Sequence, residues 1–305
     1  MPSPTPSLLQ QFSSEIAGRV AAAAPSTVSI ATKDHMASGF FLQPGVVVTA
    51  SEALDGDRGS EIEILCVAGK TRMTLAGRDP STDIAILTGD AATGAALQLA
   101  ADATIIAGEA AIVVGRSPHG VSCAVGFVSL AGAEWESMRG GRIDRRIRLD
   151  NRLERHQEGG PVLNAAGQCI GMAVLGPRRG TLVIPSATLQ RISADLLQHG
   201  RIQHGYLGIA GQPIRPQPVG PATAQNGGAG TGLLVLSLDA GGPARLAGIL
   251  QGDIITAVAG KPVGSPRQLR RSLGPDTVGR SVSCLLIRAG QPMTLDITVG
   301  EREPK

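Results

Sequence analysis

Short apolar segments separated by turn residues fill the first two thirds of the chain, and they constrain the fold more than any other feature. Between residues 27 and 184 the chain contains TVSIA, SGFFL, VVVTA, DIAIL, CIGMAVL and TLVI, with glycine, proline or aspartate between such segments. β-Branched residues are frequent in them, and no long helical pattern interrupts them. This pattern predicts an all-β barrel or a pair of sandwiches.

A region of different character follows. The segment PSATLQRISADLLQ places Leu189, Ile192 and Leu196 on one helical face. From Tyr206 to about Val299, strand-like segments then alternate with two short helical patches, which predicts a small α+β module. We therefore divide the chain into an N-terminal helical segment, a large β domain and a second domain, at residues 1–26, 27–200 and 206–301.

Composition and charge exclude several classes of protein. A net charge of +3 is too small to indicate a nucleic-acid partner, and no apolar run approaches the length of a membrane span. The first twenty residues lack the basic start and the uninterrupted apolar region of a secretory signal. None of the cysteines has metal-binding spacing, so we expect buried free thiols and a cytoplasmic protein. They are Cys66, Cys123, Cys169 and Cys284.

Four motifs occur in an order that resembles a known family. They are ASGFFLQPGVVVTASEAL, DPSTDIAIL, HQEGGPVLNAAGQCIGMAV, and YLGI followed by GGPARLAGILQGDIITAVAGKPV. Over about residues 28–299 the chain is similar to the HtrA (Deg) family of trypsin-like serine proteases. The resemblance implies a mainly β chain, in which a chymotrypsin-like double β-barrel is followed by an α+β PDZ domain.

The catalytic positions implied by this resemblance carry different residues from those of the family. The histidine base falls on Glu52, the acid on Asp83 and the serine nucleophile on Glu158, while His156 replaces a glycine of the oxyanion loop. Glu158 has no hydroxyl to attack with, and an ionised Glu52 accepts hydrogen bonds without donating one. The sequence therefore predicts a pseudoprotease, with no catalytic residue, rather than an enzyme.

The three carboxylates of Glu52, Asp83 and Glu158 should lie together if the fold is kept. Three such groups a few Å apart cannot all stay ionised without compensation. They could share protons, pair with arginines of segment 139–155, or bind a cation, with His156 as a further ligand. We favour the paired, inert cleft over a metal site, and we expect no cofactor.

The segment GYLGI resembles the carboxylate-binding loop of a PDZ domain. The resemblance implies that backbone N–H groups of Leu207, Gly208 and Ile209 hold the terminal carboxylate of a peptide, which adds as a strand to the sheet. Leu269 and Leu273, four residues apart on a helical segment, would form the walls of the pocket for its last side chain. The alternative is that both leucines pack inward and leave the groove closed.

These observations favour a non-catalytic adaptor, scaffold or assembly chaperone that binds the C-terminal peptide of a protein partner. Two alternatives stay open: a hydrolase with unconventional catalytic residues, and a metal-binding protein that uses the carboxylates. The family forms trimers through its N-terminal segment, so the resemblance also implies a homo-oligomer with Phe12 as a candidate contact. We expect neither a nucleic-acid nor a membrane partner.

Overall fold

The computed structural model describes most of the chain, which forms two compact units, residues 1–202 and 203–305. The described residues are 7–33, 35–55, 61–90, 94–100, 104–176, 180–202, 205–215, 231–274 and 277–301.

A helix precedes the first strand. Ser7 caps α1 (Leu8–Ala23) reciprocally, because the Gln10 backbone N–H donates to the Ser7 hydroxyl while the Ser7 N–H donates to the Gln10 side chain. Ile16 and Val20 pack against the core of the first unit. The opposite face of α1 stays exposed to solvent.

Six antiparallel strands close the first barrel in the order β1-β2-β3-β6-β5-β4. Apolar residues alternate inward along them, as in β4, where Ile62, Ile64 and Cys66 are buried. With few aromatic residues in the chain, this core is mostly aliphatic apart from Phe40 and Phe41. The strands are β1 (Thr27–Ala31), β2 (Met36–Gln43), β3 (Val46–Thr49), β4 (Glu61–Cys66), β5 (Gly69–Asp79) and β6 (Ile84–Thr88).

A second six-stranded barrel follows, closed in the order β11-β14-β13-β12-β7-β8, and α2 comes directly after its last strand. Gly200, at φ 69°, ends α2 in the left-handed conformation that glycine adopts without steric cost. The elements are β7 (Ala110–Ser117), β8 (Gly120–Gly132), the short pair β9 (Trp135–Glu136) and β10 (Arg142–Ile143), β11 (Arg146–Arg152), β12 (Pro161–Asn164), β13 (Cys169–Leu175), β14 (Gly180–Pro185) and α2 (Ser186–His199).

The second unit is a sheet with two short helices. Its strand order is β16-β17-β18-β20-β21, with β19 paired to β18 and a separate short pair of β15 and β22. α4 packs beside β16, which lies at one edge of the sheet. The elements are β15 (Gly205–Tyr206), β16 (Ile209–Ile214), β17 (Gly232–Leu238), α3 (Pro243–Leu246), β18 (Ile254–Val258), β19 (Lys261–Pro262), α4 (Pro266–Ser272), β20 (Ser281–Arg288), β21 (Gln291–Thr298) and β22 (Gly300–Glu301).

The predicted fold is confirmed: the chain is mainly β, with two six-stranded barrels followed by a small α+β domain. No helix among the described residues is both long and apolar enough to cross a membrane. The four cysteines are free thiols, but Cys123 lies exposed on β8. The expectation that all four are buried is therefore wrong at that position, because the side chain points outward from the barrel wall.

Candidate functional site

Three carboxylates lie together in the first unit, each at the end of a different structural element. Glu52 begins a short 3-10 turn after β3, Asp83 comes directly before β6, and Glu158 comes three residues before β12. The pairing of Thr49 on β3 with Ala85 on β6 brings the first two together. One oxygen of each carboxylate lies within 4.8 Å of an oxygen of the other two.

Asp83 is held by the backbone of the residue at the base position. Its Oδ1 accepts a hydrogen bond of 2.7 Å from the Glu52 N–H, and its φ of 61° is in the left-handed region, which aspartate tolerates better than most residues. Burial raises the pKa of Asp83 to about 7, and the negative charges of Glu52 and Glu158 add to this rise. The Glu52 N–H and the Arg139 guanidinium act in the opposite direction. Near neutral pH this carboxyl is therefore divided between its two protonation states.

Glu158 is the most enclosed of the three, with only 4% of its surface exposed. Burial raises the pKa of its carboxyl, and a hydrogen bond of 3.4 Å from the Leu175 N–H to Oε1 opposes the rise. Gly159 beside it has a φ of 82°, and a Cβ there would lie 2.2 Å from the Ser38 carbonyl oxygen. Glycine is thus required at that position to bring this turn against β2.

Arg139 provides the closest positive charge. Its Nη2 lies 3.1 Å from Oε1 of Glu52, and both side chains are about half exposed, so solvent screens this ion pair. Arg155, the other arginine near the cluster, lowers the pKa of Glu158 through its charge. The arginine segment identified in the sequence therefore does supply compensating charge, mainly at Glu52.

His156 contacts residues other than the three carboxylates. Its Nε2 lies 2.8 Å from the Ser122 hydroxyl, its Nδ1 lies 3.2 Å from Oε2 of Glu154, and it is not part of the carboxylate group. The short turn Arg155–Gln157 also directs the Glu158 N–H to the Arg155 carbonyl, at 3.1 Å. An oxyanion site needs N–H groups that point into the cleft, and this one points back into its own turn.

The sequence indicated arginines of segment 139–155 as partners of the carboxylates without singling out Arg139, and it missed the contact of His156 with Ser122. Neither the pairing of Arg139 with Glu52 nor that of His156 with Ser122 follows from a motif, because each joins residues that are distant in the chain. The metal role of the carboxylates and the role of each site residue stay predictions.

The predicted peptide-binding residues lie in the second unit, around the start of β16. Gly208 has a φ of 73°, and its carbonyl accepts a hydrogen bond of 3.0 Å from the Asp239 N–H. Leu207 is buried, and its carbonyl accepts a hydrogen bond of 2.9 Å from the Ala244 N–H, while Ile209 begins the edge strand.

The two pocket leucines, on the α4 side of this edge, are largely buried. Leu269 is 6% and Leu273 is 5% exposed, and both belong to the core of the second unit. Both therefore pack inward, so a peptide side chain would contact only their outer edges, and the opening of the groove stays a prediction.

Comparison with known proteins identifies both domains. A family of trypsin-like peptidase domains matches residues 37–172, and a PDZ domain family matches residues 205–299. A probable periplasmic serine endoprotease DegP-like from Rhizobium meliloti is 29% identical over 277 residues, which cover 86% of this chain and 53% of that protein. The periplasmic serine endoprotease DegP of Escherichia coli is 27% identical over 262 residues, 83% of this chain and 54% of that protein. The chain thus spans about half the length of these curated relatives.

Solved structures agree on the fold. The serine endoprotease from Yersinia pestis has a TM-score of 0.74 at 24% identity, covering 94% of this chain and 98% of its own. The HtrA-type protease AlgW with a decapeptide has a TM-score of 0.74 at 21% identity, covering 95% of this chain and 99% of its own. The fold of this chain is therefore that of HtrA-type proteases over nearly its whole length.

These relatives correct the prediction that the chain is not an enzyme. They are named serine endoproteases, and nothing in the described residues shows inactivity. The physical reason is that replacing serine and histidine removes one mechanism, whereas buried carboxyls with raised pKa values are themselves able to exchange protons near neutral pH.

The predicted cytoplasmic location is also wrong, because the curated relatives are named periplasmic proteins. Cysteine usage could not decide this question. A thiol without a second cysteine within bonding distance forms no intramolecular disulfide in either an oxidising or a reducing compartment.

Proposed function

We propose that this chain, which combines the trypsin-like domain and the C-terminal PDZ domain of the HtrA/DegP family, binds other proteins by their C-terminal residues. The observation that carries the proposal is the left-handed Gly208 in the loop before the edge strand β16. A glycine in this conformation lets consecutive backbone N–H groups approach an anion closely.

The sheet edge supplies the rest of the binding site. β16 pairs with β17 on one side, and α4 packs beside it, so an extended peptide that runs between β16 and α4 adds one strand to the sheet. The terminal carboxylate then lies at the loop of residues 207–209. A chain that binds a partner protein in this way acts as an adaptor, a scaffold or an assembly chaperone.

Fluorescence polarisation with a library of labelled peptides tests this role. Peptides with a free C-terminal carboxylate should bind, and the same peptides with an amidated C-terminus should bind at least about tenfold more weakly, because the amide removes the charge that the loop recognises. Equal binding of both forms, or no binding by any peptide, would overturn the proposal.

Two glycine variants separate loop geometry from general destabilisation. Gly208→Ala puts a Cβ 3.1 Å from the Gly242 Cα at a φ of 73°, and it should abolish peptide binding. Gly248→Ala introduces the same kind of strain at a φ of 87°, where a Cβ has no atom within 4 Å, and it should leave binding intact. Loss of binding in both variants would show that backbone strain alone accounts for the effect.

A second candidate function is peptide-bond hydrolysis by the carboxylates, favoured by the raised pKa values of Asp83 and Glu158 and by the relatives' names. In such a reaction an ionised carboxylate takes a proton from water while the water oxygen attacks the carbonyl carbon, and a protonated carboxyl gives its proton to the carbonyl oxygen. The C–N bond then breaks as the leaving amine takes the proton that came from the water, and a hydroxyl of the gem-diol returns a proton to the second carboxylate as the product acid forms.

Cleavage of casein, measured between pH 5 and pH 8, tests this second function. Activity that disappears in Asp83→Asn and in Glu158→Gln, but persists in the exposed-site control Glu63→Gln, supports it. Labelling by a fluorophosphonate probe, which reacts with activated serine hydroxyls, would instead show a serine nucleophile elsewhere. Cleavage unaffected by either cluster variant would also overturn the carboxylate mechanism.

A further inference from the structure

α4 runs along β16 in the opposite direction, and close contacts near its two ends establish this. At the C-terminal end of α4, a Cβ on Gly205 would lie 2.9 Å from the Leu273 Cβ, so this end lies near the loop that precedes β16. Just before α4 begins, a Cβ on Gly264 would lie 2.5 Å from the hydroxyl oxygen of Thr231. Thr231 directly precedes β17, whose first residue pairs with the last residue of β16. A peptide between β16 and α4, with its carboxylate at the loop of residues 207–209, therefore has its last residue near Leu273 and its earlier residues near the start of α4.

Positive charge predominates on the two walls of this groove. Segments 205–215 and 254–274, which contain β16 and α4, include no aspartate or glutamate. Their basic residues are all exposed, and they are Arg215, Lys261, Arg267, Arg270 and Arg271. The guanidinium groups of Arg215 and Arg270 make no hydrogen bond or ion pair with the described residues. The walls therefore form a surface that attracts negative charge.

Asp239 brings a negative charge to the loop end of the groove. Its N–H donates to the Gly208 carbonyl, and its carboxylate accepts a hydrogen bond from the Tyr206 hydroxyl. The charge of Asp239 therefore acts on the last residue of a peptide more than on the residues before it. The preference of the groove for negative charge should accordingly be greatest at the earlier peptide positions.

The spacing of the arginines on α4 indicates which positions these are. Because an α-helix rises about 1.5 Å per residue, Arg270 and Arg267 lie about 4.5 Å and about 9 Å before Leu273 along the helix. An extended peptide rises about 3.3 Å per residue, so these two charges lie beside about the second to the fourth residue from its C-terminus. Arg215, which directly follows β16, extends the positive surface further from the carboxylate loop.

We propose that this groove selects partner proteins with an acidic C-terminal tail, in which the second to fourth residues from the end carry negative charge. The inference rests on the proposed function, since it names the class of peptide that the same groove prefers. Each ion pair with an exposed arginine contributes little by itself, so selectivity comes from several pairs acting together. It also depends on ionic strength, because salt screens exposed charges.

Fluorescence polarisation on the full chain with three labelled peptides tests the proposal. The peptides are identical octapeptides that end in valine with a free carboxylate, and they differ only at the second to fourth positions from the end, which are all glutamate, all glutamine or all lysine. At low salt we expect the glutamate peptide to bind at least about threefold more tightly than the glutamine peptide, and the lysine peptide to bind most weakly. The differences should shrink at about 0.5 M NaCl, where the screening length is only a few Å.

A matched pair of variants locates the selectivity. Arg270→Glu puts an exposed glutamate on α4, and it should abolish or reverse the preference for the glutamate peptide. Thr294→Glu puts one on β21, at the opposite edge of the sheet from β16, and it should preserve the preference. The glutamine peptide should bind both variants as it binds the parent chain, which shows that the groove is intact.

The outcomes separate this inference from the function on which it rests. Absence of binding by all three peptides would overturn the proposed function, and the inference with it. Equal binding of all three peptides would overturn the inference alone. So would a preference that persists in Arg270→Glu, or one that Thr294→Glu removes as well, because the selectivity would then not come from the charges beside the groove.

Discussion

The backbone N–H of Glu52 donates a 2.7 Å hydrogen bond to Oδ1 of Asp83, which lies on a different loop of the first barrel. In a serine protease triad the acid orients the histidine through that residue's ring. Here the acid is held by the main chain, so its position does not depend on the side chain at residue 52. Asp83 therefore stays in the cleft beside two other carboxylates, where its carboxyl ionises less readily.

The raised pKa of Asp83 makes the stability of the first unit depend on pH. Since the folded pKa is about 7 and the ordinary value is 3.8, the folded state binds the proton more tightly than the unfolded state. The free energy of unfolding should fall as pH rises from about 4 to about 7 and then level off. The total fall is about 1.4 kcal/mol for each unit by which the pKa is raised. Urea unfolding of the chain at pH 5 and pH 8 measures this change.

The variant Asp83→Asn identifies the group responsible. Asparagine retains an oxygen that accepts from the Glu52 N–H but has no proton to lose, so most of the difference between pH 5 and pH 8 should disappear. An unchanged pH profile in this variant would assign the dependence to another group of the cleft, with Glu158 the first candidate.

Replacing Glu158 by glutamine should be neutral or stabilising at pH 8. The carboxyl is buried, its pKa is raised, and the ion pair of Arg139 is with Glu52 rather than with Glu158. Glu158→Gln removes a buried negative charge while it keeps an acceptor for the Leu175 N–H, so we expect a gain of up to about 1–2 kcal/mol. Thermal melts at pH 5 and pH 8 measure it, and the gain should shrink at the lower pH. Clear destabilisation would mean that Glu158 has a positively charged partner in solution.

The barrels and the meeting of the three carboxylates followed from the sequence because they depend on residues with strong local signals. Alternating apolar residues specify the strands, and the motif T-D-I-A places Asp83 directly before β6. The contacts of Arg139 and His156 depend on how long side chains from separate loops are oriented, and no periodicity encodes that. The raised pKa of Asp83 depends on its burial and on the charges of Glu52 and Glu158, which a motif does not contain.

In the second unit, loss of the buried Asp253 should be destabilising. It is 2% exposed, and its two oxygens accept from Nε and Nη2 of Arg288 at 2.9 and 2.7 Å. Burial pushes the pKa of Asp253 upward, but hydrogen bonds from Arg288 and from the Leu250 N–H outweigh it and lower the pKa. Asp253→Ala should cost more than about 1 kcal/mol, because it leaves the Leu250 N–H without its acceptor and removes both hydrogen bonds of Arg288 to this carboxylate.

Circular dichroism during urea unfolding of the full chain measures this loss. The exposed Asp296→Ala on β21 serves as the control and should change stability by less than about 0.5 kcal/mol. Because the pKa of Asp253 is lowered, its contribution is present above the ordinary aspartate pKa and is lost as pH falls through the folded value. A loss equal to that of Asp296→Ala would show that the Arg288 pair contributes nothing.

Self-association should depend on the exposed face of α1. Leu8, Leu9 and Phe12 are 84%, 76% and 50% exposed there, which is unusual for large apolar side chains on one short segment. Mass photometry of the parent chain should show a trimer of about 93 kDa, three times the chain mass of 31.1 kDa. Phe12→Glu should shift the mass to that of the monomer, whereas Ser14→Glu, on the same helix, should not. A parent chain that is monomeric at all concentrations would contradict the predicted trimer.

Rebuilding a serine triad should depend on the turn before residue 158 as well as on the triad itself. In the double variant Glu52→His with Glu158→Ser, the backbone contact to Asp83 is kept, so the new imidazole lies next to its acid. The N–H of residue 158, however, still donates to the Arg155 carbonyl, and His156 is still held by Ser122 and Glu154. Adding His156→Gly frees this turn to direct an N–H into the cleft, which is worth at least about tenfold in reactivity. Labelling by a fluorophosphonate probe should therefore be slow in the double variant and at least about tenfold faster in the triple variant. Equal labelling rates would show that the N–H groups already point into the cleft in solution, and that His156 does not limit the chemistry.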